Sequence, residues 1–282
     1  MNYIIIIAIV LIIVILTWLM IVYISNPLFA YSLIGWWGKK LDSVKNKQNA
    51  ECYNDLSSTR YSTNGFGTIP SLMKAEYCPL KSARKLEGLI RKKHDKILKE
   101  VNNLLHNYEG VAMTDIDEVQ GQWLQGSKNW RTLWVKFLDT WAGTAKYLPT
   151  LRNIVEEMGD DITLLHVSIL HPGMELSLHK GIHAGVWRYH YGLVIPEGDT
   201  ALAIDGKIFK WREGEGVIWD DTLLHEAWNH TDKLRIVIFA DLPRDLHLVA
   251  GYFNKVITRA VQSNKNVKKI AAMLAEQGIK ID

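Results

Sequence analysis

The sequence predicts a mainly β domain with flanking helices, its strands rolled into a jelly roll, carried behind an N-terminal transmembrane helix. Three observations point there. A charge-free apolar run opens the chain, an amphipathic helical period follows, and from Asp161 the rhythm turns to short strands punctuated by Gly and Pro. With 282 residues, 48% hydrophobic and 22% charged, the chain suffices for one sizeable domain plus an appendage.

Tyr3 to Ser25 contains no charged residue and is dominated by Ile, Leu and Val. At about 1.5 Å per residue, such a helix can cross a hydrocarbon core of roughly 30 Å. A cleaved signal peptide needs a basic n-region, a shorter apolar core and a small-residue cleavage site, so a retained anchor is the preferred reading. Trp36-Trp37 followed by Lys39-Lys40 suits the headgroup boundary. Lys39, Lys40, Lys45 and Lys47 follow the anchor and no Lys or Arg precedes it. The expectation is therefore a single-pass membrane protein with its domain on the cytoplasmic side.

A net charge of +3, with no basic stripe interleaved with aromatics, gives no sign of a nucleic-acid partner. Cys52 and Cys78 are too few for a disulfide framework and match no usual zinc spacing.

The expected order of parts is an anchor with its interfacial segment over 1–41, a tether over 42–81, and the folded domain over 82–282. The turn-rich tether carries Ser57-Ser58, Asn64-Gly65 and Pro70. Within the domain, helical support spans 82–158, the β core 161–243 and a C-terminal helical segment 244–282. Ala83, Leu86, Leu89, Ile90, Ile97, Val101 and Leu104 recur at helical spacing and predict one helix over Ser82 to His106. Trp123, Trp130, Trp134 and Trp141 crowd Val119 to Leu148, where packing against a sheet is preferred over lining a cleft. A short helix, opened by Pro149-Thr150, follows over Leu148 to Met158.

Strands are predicted over Ile162 to Leu170, Trp187 to Ile195, Ala201 to Ile204, Lys207 to Trp211, Gly216 to Trp219 and Arg235 to Ala240. Asp205-Gly206 makes a hairpin turn between the third and fourth. His179 sits in a segment too irregular for a regular strand. Arg188 and His190 share one face of their strand, with Trp187, Tyr189 and Tyr191 on the other. That polar face either lines the interior and meets an anion, or is exposed to solvent.

Imidazole is a good ligand for Fe(II), and a guanidinium offers a fixed fork for a carboxylate. His179 and His225, with Arg235 ten residues further on, are the pattern an iron site with an anionic co-substrate requires. Arg235 lies in an otherwise apolar strand, so either an internal acid or an external carboxylate must meet it. Asp220, Asp221 and Glu226 are candidate internal partners, and candidate acceptors for the ligand imidazoles. Ser168 could give an anion a further hydrogen bond.

The chain resembles the aspartyl/asparaginyl β-hydroxylase family, which includes lipid A acyl-chain hydroxylases. Six separated elements in order carry the resemblance: Ser168-Ile169-Leu170-His171-Pro172-Gly173, His179-Lys180-Gly181, Arg188 to Pro196, Trp219-Asp220-Asp221, His225-Glu226-Ala227-Trp228 and Arg235. The resemblance implies a double-stranded β-helix using Fe(II), 2-oxoglutarate as co-substrate and O₂. It implies His179 and His225 as iron ligands, and Arg235 on the distal carboxylate of 2-oxoglutarate. Ser168 and His190 would help hold the co-substrate, and Arg188 would stand between co-substrate and substrate. Related oxygenases often place an aspartate where this chain has Gly181, a glycine the resembled family shares. The implied substrate is a peptidyl Asp or Asn in a protein, or a lipid acyl chain. Two other readings stay open: an iron-free β-barrel that binds an anionic ligand or protein partner, and a cupin-type dioxygenase that needs no 2-oxoglutarate.

Overall fold

The structure is a computed structural model that describes residues 10–16, 72–74, 81–116, 124, 127–179, 186–204, 206–219, 221, 224–243, 259 and 262–277. Most of the apolar run from Tyr3 to Ser25, the tether apart from 72–74 and Lys81, and Cys52, Cys78, Trp123, Gly181 and Asp220 lie outside them. Residues 10–16 are helical, with apolar side chains 47–56% exposed. Among the described residues, no helix is long and apolar enough to cross a membrane.

The described strands are β1 (Leu72–Lys74), β2 (Val111–Ala112), β3 (Trp130–Phe137), β4 (Thr140–Trp141), β5 (Leu164–Leu170), β6 (Met174–His179), β7 (Val186–Val194), β8 (Thr200–Ile204), β9 (Lys207–Phe209), β10 (Gly216–Trp219), β11 (His225–Asn229) and β12 (Arg235–Pro243). The larger sheet runs β1-β10-β7-β12-β5-β3-β2, with β4 on β3, and the smaller runs β6-β11-β8-β9. From β5 onward the chain alternates between the two sheets, except that β8 and β9 form a hairpin within the smaller one, and neighbouring strands pair antiparallel. That is the arrangement of a double-stranded β-helix, in mainly β form with flanking helices.

Period two divides the larger sheet into two apolar faces. Leu165, Val167, Tyr189, Tyr191, Ile236 and Ile238 join one core, covered by helices α1 (Lys81–Lys92), α2 (His94–Asn107) and α4 (Pro149–Met158). A one-turn helix, α3 (Met113–Ile116), follows β2. The second core lies between the sheets, where Val217, Trp219 and Val237 meet Leu176, Leu202 and Ile204. The C-terminal helix α5 (Lys265–Ala275) begins at Asn264, whose side chain accepts from the Asn266 N–H at 2.8 Å.

The single helix expected over Ser82 to His106 is two. It breaks at Lys93, whose N–H closes a tight turn on the Ile90 carbonyl at 2.9 Å. Arg91, Lys92, Lys93 and His94 present no apolar group to hold a straight helix onto the sheet there. Six of the described strands went unread in the sequence: the short β1, β2 and β4, and the longer β3, β6 and β11. The Trp-rich stretch contains β3, whose Leu133 and Val135 enter the helix-side core. The stretch that looked irregular before His179 is β6.

Candidate active site

Cross-strand registry explains why β6 looked irregular. His179 pairs with His225 while Leu176 pairs with Ala227, so β6 carries one more residue than β11 across that interval. This is a β-bulge at Ser177-Leu178. Strict alternation from Met174 and Leu176 would aim Leu178 inward and His179 outward. The extra residue reverses this: Leu178 is 58% exposed, and His179 shares the inner side with His225.

The two imidazoles, on neighbouring strands of the smaller sheet, stand 4.2 Å apart between ring centroids. His179 Nδ1 lies 2.6 Å from the Ser177 carbonyl oxygen within the bulge. Nδ1 therefore carries the proton and donates, and the lone pair is on Nε2. Burial, reinforced by His225, lowers the His179 pKa to about 4, so the ring is neutral at physiological pH. A neutral imidazole is the form that binds a metal. His225 is 5% exposed, and Asp221 Oδ1 lies 3.3 Å from its Nε2.

Facing them across the interior is the larger sheet. Arg188 on β7 donates through Nε and Nη2 to the two oxygens of Asp241 on β12, at 3.0 and 3.2 Å. Its Nη1 donates to Asp221 Oδ1 at 2.5 Å. Burial opposes the charge on Arg188, but Asp221 and Asp241 outweigh it and raise the pKa. Burial raises the pKa of Asp241, against the pull of Arg188. One guanidinium between two carboxylates leaves this corner, beside His225, in deficit of positive charge.

Arg235 is placed differently. It is 1% exposed, and among the described residues its Nε and Nη1 have no hydrogen-bond partner. Its guanidinium carbon lies 4.6 Å from the centre of the Trp211 ring. Burial lowers its pKa to about 9, which still leaves it charged at neutral pH. Of the acids proposed as its internal partners, Asp221 is held by Arg188.

The groups near Arg235 are unsatisfied too. Both ring nitrogens of His190 lack partners among the described residues, as do Nε1 of Trp211 and of Trp219. Burial, then Arg235, pushes the His190 pKa well below its usual value. His190 contacts Trp219 edge-on at 4.5 Å and stacks toward Trp211 at 6.0 Å. Ser168 accepts from Trp130 Nε1 at 3.0 Å, which keeps its own hydroxyl proton for another acceptor. The polar face of β7 therefore lines the interior, since His190 is 7% exposed.

Leaving this many buried donors without acceptors costs several kcal/mol, roughly 1–3 per group, unless a ligand supplies them. The set fits an anion at Arg235 and a cation at the histidine pair. Among the described residues, no group of three or more His, Cys, Asp or Glu is arranged around a metal position.

Several site residues were not singled out in the sequence. Asp241 falls on the face of Arg235 at period two and could have been found that way. His166, buried on β5 with Nδ1 unpartnered among the described residues, continues a ring row from Trp134 at 4.5 Å to Phe239 at 4.3 Å. Trp211 lies just past the end of β9, and no local pattern marks it.

The family model for aspartyl/asparaginyl beta-hydroxylase matches residues 91–245, more than half of the chain. The chain belongs to this family. A stretch of 95 residues is 44% identical to an ornithine lipid ester-linked acyl 2-hydroxylase of Rhizobium tropici, covering 33% of this chain and 34% of that protein. The human aspartyl/asparaginyl beta-hydroxylase is 28% identical over 145 residues, covering 48% of this chain and 19% of that protein. The matched stretches thus span about a third or less of these hydroxylases. A 2OG-Fe(II) oxygenase family oxidoreductase from Burkholderia pseudomallei overlaps 42% of this chain and 68% of its own, with TM-score 0.29 and 10% identity. An overlap so small adds nothing to the topology described above.

Proposed function

We propose that this member of the hydroxylase family is a dioxygenase that uses Fe(II), 2-oxoglutarate and O₂ to hydroxylate an aliphatic C–H bond. His179 and His225 would hold the iron. Arg235 would clamp the far carboxylate of 2-oxoglutarate, with Ser168 and His190 hydrogen-bonding the same molecule. One observation carries the reading: a buried guanidinium with two nitrogens unpartnered among the described residues and a close pair of inward imidazoles share one interior. An anionic co-substrate at the first and a ferrous ion at the second satisfy both.

When bound, iron and 2-oxoglutarate supply the oxidising chemistry that replaces a C–H bond with C–OH. The chain's own residues position and shield. The Ser177 carbonyl fixes the His179 tautomer, so that ring need not lose a proton to bind a metal. Trp211 and Trp219 wall the interior against water and offer Nε1 donors to the anion. Arg188, locked between Asp221 and Asp241, holds Asp221 beside His225 and lines the substrate end.

The substrate is a peptidyl Asp or Asn, or a lipid acyl chain, and the acyl chain is the preferred choice. Among the described residues, Arg188 is already matched by two carboxylates, which makes its corner a poor receptor for a third. The identity to the ornithine lipid acyl hydroxylase supports the same choice. The apolar run from Tyr3 to Ser25 would anchor the domain at the bilayer, on the cytoplasmic side.

The test is succinate formation from 2-oxoglutarate, read alongside a 16 Da gain in lipid and protein fractions. His179→Ala and His225→Ala should each abolish both. Anaerobic Fe(II) plus 2-oxoglutarate should give the wild-type protein a weak visible charge-transfer band. Succinate formed at the wild-type rate by either variant would overturn the ligand assignment.

A further inference from the structure

Outside residues 10–16, the large apolar side chains exposed among the described residues are Leu178 at 58%, Ile208 at 66% and Leu224 at 39%. Single exposed apolar residues are ordinary and need no explanation. These three are not scattered. One row of cross-strand partners crosses the smaller sheet as His179, His225, Ile204 and Lys207. Leu178 precedes the first of these, Leu224 precedes the second, and Ile208 follows the last.

Their exposure has a structural origin in each strand. The bulge that aims His179 inward is what turns Leu178 outward. Ile208 pairs with Ala203, which pairs with Glu226, and all three lie on the side of the sheet opposite His225. β9 is an edge strand, and an exposed apolar residue on an open edge invites association unless it has a partner. Lys207 and Lys210 flank Ile208 along this edge and suit phosphate groups.

We infer that this band of the smaller sheet rests on the surface of a phospholipid bilayer, with Leu178, Ile208 and Leu224 entering the headgroup layer. The inference rests on reading the apolar N-terminal run as a membrane anchor. The bilayer is the chosen occupant because the same chain carries a charge-free run from Tyr3 to Ser25, which would hold the domain near such a surface. Glu226 in the same outward row limits the contact to headgroup depth.

The test uses the full chain in vesicles of phosphatidylglycerol and phosphatidylethanolamine, with Cys52 and Cys78 changed to Ser. Leu178→Cys, Ile208→Cys and Leu224→Cys each carry a fluorophore, and lipids spin-labelled in the headgroup region serve as quenchers. Asn153→Cys on the helix side of the larger sheet is the control. The expected result is strong quenching at 178, 208 and 224, and little at 153. Adding Leu178→Asp and Leu224→Asp to the label at 208 should shrink the docked population about tenfold or more, the effect of losing buried leucine surface. Equal quenching at all four positions, or none in a chain that floats with the vesicles, overturns the docking and leaves the anchor standing. So does label-to-label energy transfer that persists without lipid, which would mark a contact between copies. A chain that does not float overturns both.

Discussion

Arg188 and Arg235 project into one interior from neighbouring strands of the larger sheet, yet they are held in opposite ways. Arg188 has two carboxylates, both nearly buried, at hydrogen-bond distance. Arg235 is more deeply buried, and among the described residues two of its nitrogens have no acceptor. A folded chain satisfies its buried charges or reserves them for a ligand. The difference separates an arginine matched within the scaffold from the one proposed to clamp an anion.

The sharpest way to break that comparison is to remove each guanidinium in turn. Arg188→Leu strands two buried carboxylates and should cost about 3–5 kcal/mol of stability. Arg235→Leu removes a buried charge that no carboxylate among the described residues pairs, so stability should hold within about 1 kcal/mol or rise. The same variant should weaken 2-oxoglutarate binding about a hundredfold, the cost of losing a charge-assisted clamp. Chemical denaturation and calorimetric titration of the co-substrate read the two effects separately. Equal destabilisation by both substitutions would show the two arginines to be scaffold alike.

A second prediction concerns how the strand bearing Arg188 is pinned. A Cβ on Gly192 would collide with the backbone carbonyl of Arg212, which crosses directly over it. Gly192→Ala should therefore cost about 2–4 kcal/mol, because backbone and not a flexible side chain must give way. Denaturant midpoints would check it.

The third prediction is a pH dependence. Burial lowers the His166 pKa to about 3 and that of His179 to about 4, below the ordinary value near 6.5 in an unfolded chain. Between those values the unfolded chain binds more protons, so stability rises with pH. The contribution is complete above about pH 6.5 and is lost as pH falls toward 4 and then 3. His166→Gln should flatten the fall in melting temperature over that window, and an unchanged slope would remove His166 as its source. The smallest effect belongs to Asp241→Asn, which leaves Arg188 one carboxylate and should cost less than Arg188→Leu in the same denaturation assay.

Much of the site was legible because alternation is a local property. Period two put Arg188 with His190 and set Arg235 in an apolar strand, and the helix opened by Pro149 begins where Pro149 stands. β3 was missed because its aromatic and polar residues, Trp130 to Phe137, mix both apolar faces and leave no clean alternation. The helix break at Lys93 was missed because Ile90 and Ile97 keep the same face on either side of it.

The sequence by itself determined the mainly β character of the domain, half of its described strand positions and the residue types able to hold a metal and an anion. Those follow from the side-chain period of one strand and the chemistry of single groups. Only the tertiary structure decided that Asp221 and Asp241 go to Arg188 and not to Arg235, and that His179 faces inward. Those outcomes depend on registry between strands far apart in the chain, and one extra residue in β6 is enough to reverse which side chain meets the site.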